Sequence, residues 1–118
     1  MKEFQELHSI AARDLKYSEW SQQRTLDEKT QMLQQEVNEM IDAVKNQDMQ
    51  NLQEELGDII WDALTITALA EEKGLFTTDE TLRKAADKIR MRKPWIFTGE
   101  KLTAEQESEH WKRAKEKK

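Results

Sequence analysis

Only three glycines and one proline interrupt this chain of 118 residues. Because these two residue types are the strongest signals for turns and helix ends, their scarcity predicts long helices joined by short loops. The apolar residues agree, since they recur at spacings of three and four and show no strand-like alternation. The sequence therefore predicts an all-α fold, an antiparallel bundle of about four to five helices forming a single domain over residues 1–118.

Capping signals place the helix boundaries. Thr25 with Glu28, and Thr103 with Gln106, match the capping box in which each side chain satisfies a backbone donor of the other residue. Gly74 marks the end of the third helix. The predicted helices cover about 3–15, 26–45, 49–73, 79–92 and 104–117. The segments 17–24 and 95–99 are predicted to be a connector and a loop.

The third predicted helix is apolar on more than one side. Its apolar residues include Ile59, Ile60, Trp61, Leu64, Ile66 and Leu69. A helix of this kind is usually central or lies at a subunit interface. Charged residues make up as much of the chain as apolar ones, 36% each, so one chain buries only a thin core. The pattern therefore predicts a homo-oligomer.

Composition excludes several classes of function. The chain has no cysteine, so disulfides and thiolate metal sites are ruled out. No segment approaches the roughly 20 apolar residues of a membrane span, and the first residues lack the apolar core of a signal peptide. These features favour the cytoplasm. The net charge of −5 argues against non-specific nucleic-acid binding and means that an anionic substrate needs a cation to mediate its binding.

Paired carboxylates on two neighbouring helices are the strongest chemical signal. Glu36 and Glu39 lie three apart on the second helix, and Glu55 and Asp58 lie three apart on the third. Residues three apart share a helix surface, and the short turn between the helices makes them antiparallel neighbours. The two pairs are therefore expected to face each other, with Asp62 on the same face as Asp58.

Converging acids repel one another unless a cation neutralises them. Oxygen ligands alone select hard cations, Mg²⁺ or Mn²⁺, over zinc. A di-iron site would require Glu-x-x-His motifs, which His8 and His110 do not form. A solvated acidic face would explain the spacing equally well. Such a face is less expected on the third helix, because that helix is the most apolar of the chain. Gly57, which lowers helix propensity between two acids, indicates close approach of a helix or ligand.

With these carboxylate pairs, the chain resembles the MazG-type nucleotide pyrophosphohydrolases. The resemblance rests on Glu36-x-x-Glu39 and Glu55-x-x-Asp58 and continues in order through 20–25, 88–97 and 111–115. The chain departs from the family pattern mainly near the substrate-contacting segments. The departures are Gln35, Arg24, Met91, Lys93 and Trp95. They leave the metal ligands intact and put the nucleotide contacts in question.

The resemblance implies Mg²⁺-dependent hydrolysis of an NTP or dNTP to the monophosphate and pyrophosphate, with a role in clearing unwanted nucleotides. Glu36, Glu39, Glu55 and Asp58 would hold the metal, and any one of them could act as base. The resemblance also implies a dimer, or a tetramer made of two dimers.

Four further residues are candidates for contacting the nucleotide. Lys88 and Arg92 lie four apart on one helix face and would hold phosphate oxygens. Trp20 would stack on the base, and Asp62 would contact the ribose or base, or extend the metal site.

Two other functions remain open from the sequence. A dUTPase-like enzyme or a phosphoribosyl-ATP pyrophosphatase would share these acidic helices. A helical oligomer that binds a nucleotide or a protein without turnover would explain the departures from the family pattern.

Overall fold

The computed structural model describes residues 1–116 of the chain and shows helices throughout, with no strand in that range. The helices are α1 (Lys2–Tyr17), α2 (Glu19–Gln22), α3 (Leu26–Lys45), α4 (Met49–Glu72), α5 (Thr78–Arg92), α6 (Trp95–Thr98) and α7 (Ala104–Glu116). Five of the seven are long, so the predicted all-α fold is confirmed. The predicted end of the last helix at Lys117 lies outside the described residues.

Local hydrogen bonds fix where α3 and α4 begin. The Thr25 hydroxyl accepts from the Glu28 amide at 3.1 Å, and the Glu28 carboxylate accepts from the Thr25 amide at 3.1 Å, completing the predicted capping box. Asp48 caps α4 by accepting from the Asn51 amide at 3.1 Å. Only residues 46–48 separate the two helices, so α3 and α4 pack as an αα-hairpin.

Two short helices lie where the sequence predicted a connector and a loop. The Ser18 hydroxyl accepts from the Ser21 amide at 3.3 Å and so starts α2 within the connector. Pro94 precedes α6 with φ −60°, an angle that already suits a helix. Gly99 ends that helix with φ 80°, in the left-handed region that glycine adopts without steric cost.

The described chain forms two compact units, the first covering Met1–Thr78 and the second beginning at Asp79. In the first unit α4 packs against both α3 and α1, and α2 packs on α1. The buried apolar residues of this unit are Ala11, Ala43, Leu64, Leu69 and Ala70. Several are small, so the helices approach closely around a thin core.

The second unit is organised around aromatic rings. Trp95 is buried, and its ring centroid lies 5.3 Å from that of His110. The Arg92 guanidinium lies 4.9 Å from the centre of the Trp111 ring. Lys93 and Glu107 form an ion pair at 3.5 Å, which ties α7 to the segment before α6.

An apolar stripe remains exposed on the first unit. Met49, Leu56 and Ile60 of α4 are 58%, 43% and 44% exposed, and Ile41 and Val44 of α3 are also exposed. We call these five residues the apolar stripe. At Gly57 a Cβ would meet no atom within 4 Å, so the close approach that this glycine suggested does not occur within the described chain.

Within residues 1–116, no helix combines the length and the apolar character that crossing a membrane requires.

Candidate metal centre

Three carboxylates from two helices converge in the first unit. Glu36 and Glu39 lie three apart on α3, and Glu55 faces them from α4. One carboxylate oxygen from each residue lies within 4.8 Å of the other two. The capped, three-residue connection between α3 and α4 holds the two helices side by side, so these three of the four predicted carboxylates meet.

Two of these carboxylates have oxygens with no hydrogen-bonding partner. Glu36 Oε2 and Glu55 Oε2 are buried and accept no hydrogen bond among the described residues. Glu55 as a whole is only 8% exposed. Because buried charged oxygens are normally paired or bound to a metal, these two orphaned acceptors indicate a ligand site.

The protonation of Glu55 reflects this crowding. Its pKa is raised from 4.5 to about 8, chiefly by hydrogen bonding with the Glu36 carboxyl group, then by burial, and then by Glu39. A proton shared among these carboxyl groups relieves their repulsion when no cation is present.

A hard divalent cation fits this site. The donors are all carboxylate oxygens, which Mg²⁺ and Mn²⁺ prefer, and two of them lack any other partner. A cation between them would replace the shared proton and satisfy both buried oxygens. The three residues that would hold it are Glu36, Glu39 and Glu55.

Asp58 and Asp62 lie near this centre but outside the three-carboxylate group. The side chain of Asp58 is exposed, and its place as a fourth ligand stays a prediction. Asp62 is half-buried one turn further along α4. Burial raises its pKa, the charges of Glu36 and Asp58 raise it further, and the positive charge of Lys29 opposes this shift.

A small cavity of about 30 Å³ lies in the first unit. Its lining consists of Asp14, Trp20, Ser21, Lys29, Met32, Trp61, Asp62 and Thr65. Trp20 is 53% exposed, and its ring lies 4.8 Å from the Arg24 guanidinium. Two of the predicted substrate contacts, Trp20 and Asp62, therefore line one cavity, and Trp20 leaves a ring surface open to solvent.

Lys29 lines this cavity but was not among the site residues predicted from the sequence, although the helix pattern contains a signal for it. It is 6% exposed and lies on α3 between Leu26 and Leu33, at the helical spacing of a buried face. A charged residue within an apolar stripe is rarely buried without a reason. That exception to the pattern distinguishes Lys29 from the other lysines of the chain.

The other two predicted substrate contacts lie in the second unit. Lys88 is exposed, as a phosphate ligand would be. Arg92 is 6% exposed, stacks on Trp111, and has a buried Nε atom that donates no hydrogen bond among the described residues. Sequence spacing placed both on one helix face but gave no sign that Trp111 covers Arg92.

Comparison with known proteins connects this arrangement to one family. Residues 24–97 match the model of the MazG nucleotide pyrophosphohydrolase domain. The crystal structure of a mazG-related protein from Thermotoga maritima superposes with a TM-score of 0.88 and 34% identity, covering 95% of this chain and 98% of that one.

Two curated relatives are much longer proteins. A nucleoside triphosphate pyrophosphohydrolase from Mycobacterium tuberculosis is 31% identical over 98 residues, which cover 81% of this chain and 30% of the relative. A nucleoside triphosphate pyrophosphohydrolase/pyrophosphatase MazG from Thermotoga maritima is 34% identical over 98 residues, covering 80% of this chain and 38% of the relative. The chain thus spans about a third of the length of these relatives.

Proposed function

Because the chain belongs to the MazG nucleotide pyrophosphohydrolase family, we propose that it hydrolyses a nucleoside triphosphate, ribo or deoxy, to the monophosphate and pyrophosphate. The observation that carries this proposal is the convergence of the Glu36, Glu39 and Glu55 carboxylates within 4.8 Å, with buried oxygens that lack partners. The names of the longer relatives agree with this activity.

Glu36, Glu39 and Glu55 would hold Mg²⁺, or Mn²⁺ in its place, with Asp58 as a further ligand. When bound, the cation supplies positive charge to the phosphates and makes water easier to deprotonate. A neighbouring carboxylate accepts a proton from the attacking water, whose oxygen forms a bond to the α-phosphorus. The bond from that phosphorus to the bridging oxygen breaks, and pyrophosphate leaves.

Other residues would bind and orient the substrate. Trp20 offers a half-exposed ring for stacking on the base, and Asp62 offers a carboxylate to the nucleoside. Family resemblance supports phosphate binding by Lys88 and Arg92. We further propose that the reaction removes unwanted nucleotides from the cellular pool.

A substrate screen tests the proposed reaction. Incubation with Mg²⁺ and each of the common ribo- and deoxynucleoside triphosphates is expected to release pyrophosphate and the monophosphate, and EDTA is expected to stop the release. Activity confined to dUTP, or to phosphoribosyl-ATP, would assign the chain to those related enzymes. Release of inorganic phosphate without pyrophosphate, or no turnover of any nucleotide, would contradict the proposal.

We also propose that the apolar stripe is covered by a second copy of the chain. Met49, Leu56 and Ile60 recur along one side of α4 and are all more than 40% exposed. A helix whose opposite side already packs on α3 gains by burying this side too.

A lysine in the apolar stripe is expected to disrupt this assembly. Ile60→Lys introduces a charge that the contact would have to bury, so it should shift the chain from dimer or tetramer to monomer in analytical ultracentrifugation. Gln5→Lys adds the same charge at an exposed position of α1 and should leave the assembly intact. A monomeric wild-type protein, or an Ile60→Lys variant with the wild-type mass, would refute the interface.

A further inference from the structure

Arg24 makes three contacts, and two of them hold Trp20. Its Nε donates to the Trp20 carbonyl oxygen at 3.3 Å, and its guanidinium carbon lies over the Trp20 ring, 4.8 Å from the ring centre. Its Nη1 donates to Glu28 Oε2 at 3.3 Å. The guanidinium is planar and carries five N–H donors in a rigid fork, so one group can make all three contacts. Arg24 therefore links both the backbone and the ring of Trp20 to the start of α3.

Glu28, at the other end of this link, is fixed by the capping box of α3. Its Oε1 accepts from the Thr25 amide at 3.1 Å and from the Thr25 hydroxyl at 3.2 Å, while Oε2 accepts from Arg24. The hydrogen bond from the Thr25 amide, followed by that from the hydroxyl, holds the pKa of Glu28 below its ordinary value, and the charge of Arg24 adds to this effect. The carboxylate therefore stays charged and directed towards Arg24.

The helix that carries Trp20 does not by itself fix the ring. α2 has four residues, and its hydrogen bonds to α1 come from the two residues after Trp20. The Ser21 hydroxyl donates to Asp14, and the Gln22 side chain donates to two carbonyl oxygens of α1. Trp20 is 53% exposed, and a side chain exposed to this degree can exchange between rotamers unless a neighbour restrains it. The guanidinium of Arg24 supplies that restraint.

Arg24 also determines which face of the Trp20 ring can take a ligand. Because the guanidinium covers one face, a flat ligand can stack only on the opposite face. Trp20 lines the small cavity and still exposes half of its surface, so that side of the ring remains accessible. Since the ring is already held when a ligand arrives, less conformational entropy is lost on binding.

On the basis of the nucleotide binding proposed above for Trp20, we propose that Arg24 is a positioning residue for the base of the substrate. It holds the Trp20 ring in the orientation that stacks on the base, and it does not itself contact the nucleotide. A base on the open face completes a three-layer stack with Trp20 in the middle and Arg24 behind it. Arg24 therefore acts on substrate binding, and the chemical step at the carboxylates does not depend on it.

Steady-state kinetics of pyrophosphate release test this role. Arg24→Gln is expected to raise KM by about three- to tenfold and to leave kcat unchanged, because one restrained side chain is lost from the binding surface. Arg83→Gln, at an exposed position of α5, is the matched control and should keep both constants. An unchanged KM in Arg24→Gln, or a loss confined to kcat, would overturn the inference.

A double-mutant cycle shows whether Arg24 acts through Trp20. Trp20→Ala alone is expected to raise KM by about tenfold or more, because it removes the stacking surface itself. Arg24→Gln should then add nothing in the Trp20→Ala background, since no ring remains to be positioned. Additive losses would show that Arg24 contacts the substrate directly, and they would contradict the positioning role.

Fluorine NMR of protein labelled with fluorotryptophan observes the Trp20 ring without turnover. Trp20→Phe identifies its line among the four tryptophans. In EDTA the wild-type line is expected to shift on addition of deoxyguanosine or deoxyuridine. Arg24→Gln should broaden or displace the line of the free protein and weaken the binding of each nucleoside by about three- to tenfold. A line that neither nucleoside shifts, or that Arg24→Gln leaves unchanged, would refute the inference.

The NMR experiment also separates this inference from the hydrolase proposal. An Arg24-dependent response to nucleosides supports the inference even if no nucleotide is hydrolysed. Hydrolysis with the same KM in the wild type and in Arg24→Gln refutes it and leaves the proposed reaction standing. The Arg24 side chain is 26% exposed, so the variant should unfold close to the wild-type temperature. If it does not fold, Glu28→Gln takes its place and should raise KM in the same way, since it removes the charge that holds Arg24 and keeps an oxygen for Thr25.

Discussion

Replacing Glu55 by glutamine is expected to lower kcat/KM for pyrophosphate release by about 1,000-fold, because cation-mediated charge stabilisation contributes several kcal/mol to such reactions. Glu55 would be the central ligand of the proposed metal site, since it is buried and faces Glu36 and Glu39 at once. Glutamine preserves the shape of the side chain but removes the negative charge that would hold a divalent cation. Coupled detection of pyrophosphate at saturating Mg²⁺ measures the loss.

Glu54→Gln is the matched control for this substitution. Glu54 is the exposed neighbour of Glu55 on α4 and lies outside the three-carboxylate group, so its loss should change activity little. The Glu55→Gln variant should also unfold at a higher temperature than the wild type in EDTA, because it removes a repelled charge. Full activity of Glu55→Gln would show that the site does not use this carboxylate.

The apparent affinity for Mg²⁺ is expected to rise about tenfold per pH unit between pH 6 and 8, because binding must displace the proton of Glu55. The pKa of Glu55 is raised to about 8, so the free site is protonated through most of this range. Isothermal titration calorimetry in buffers of different ionisation enthalpy would count the protons released. Glu55→Gln should flatten this dependence along with reducing affinity.

The stability of the metal-free protein should fall as the pH rises, whereas the affinity for Mg²⁺ rises. Between its ordinary pKa of 4.5 and the raised value of about 8, Glu55 holds a proton in the folded state that it has lost in the unfolded chain. Folding therefore binds protons, and the unfolding temperature in EDTA should fall as the pH rises through this window. Excess Mg²⁺ should remove that fall. A pH-independent unfolding temperature in EDTA would argue against crowding at Glu55.

The carboxylate site could be predicted because it follows from local rules. Spacings of three on a helix place side chains together, and the Asp48 cap starts α4 only three residues after α3 ends. Those two facts bring Glu36, Glu39 and Glu55 to one point without any knowledge of the remaining chain.

The features that sequence reasoning missed depend on how helices are rotated against one another. Whether Asp58 reaches the same point as Glu55 is decided by a rotation of α4 that spacing alone does not determine. The burial of Arg92 depends on Trp111, which approaches only once α7 has packed. The α6 turn reflects the backbone angles around Pro94, where the sequence indicated only that α5 must end.

The three-residue connection between α3 and α4 has a consequence for inheritance. All three converging carboxylates lie on one continuous hairpin, so duplication or transfer of a single short gene segment carries all of them with it. A site assembled from distant parts of a chain could not move in this way. The same locality lets the three carboxylates come together early in folding, since a short loop closes quickly. Such a unit can be incorporated into proteins of different length, as in relatives of which this chain covers only 30% or 38%.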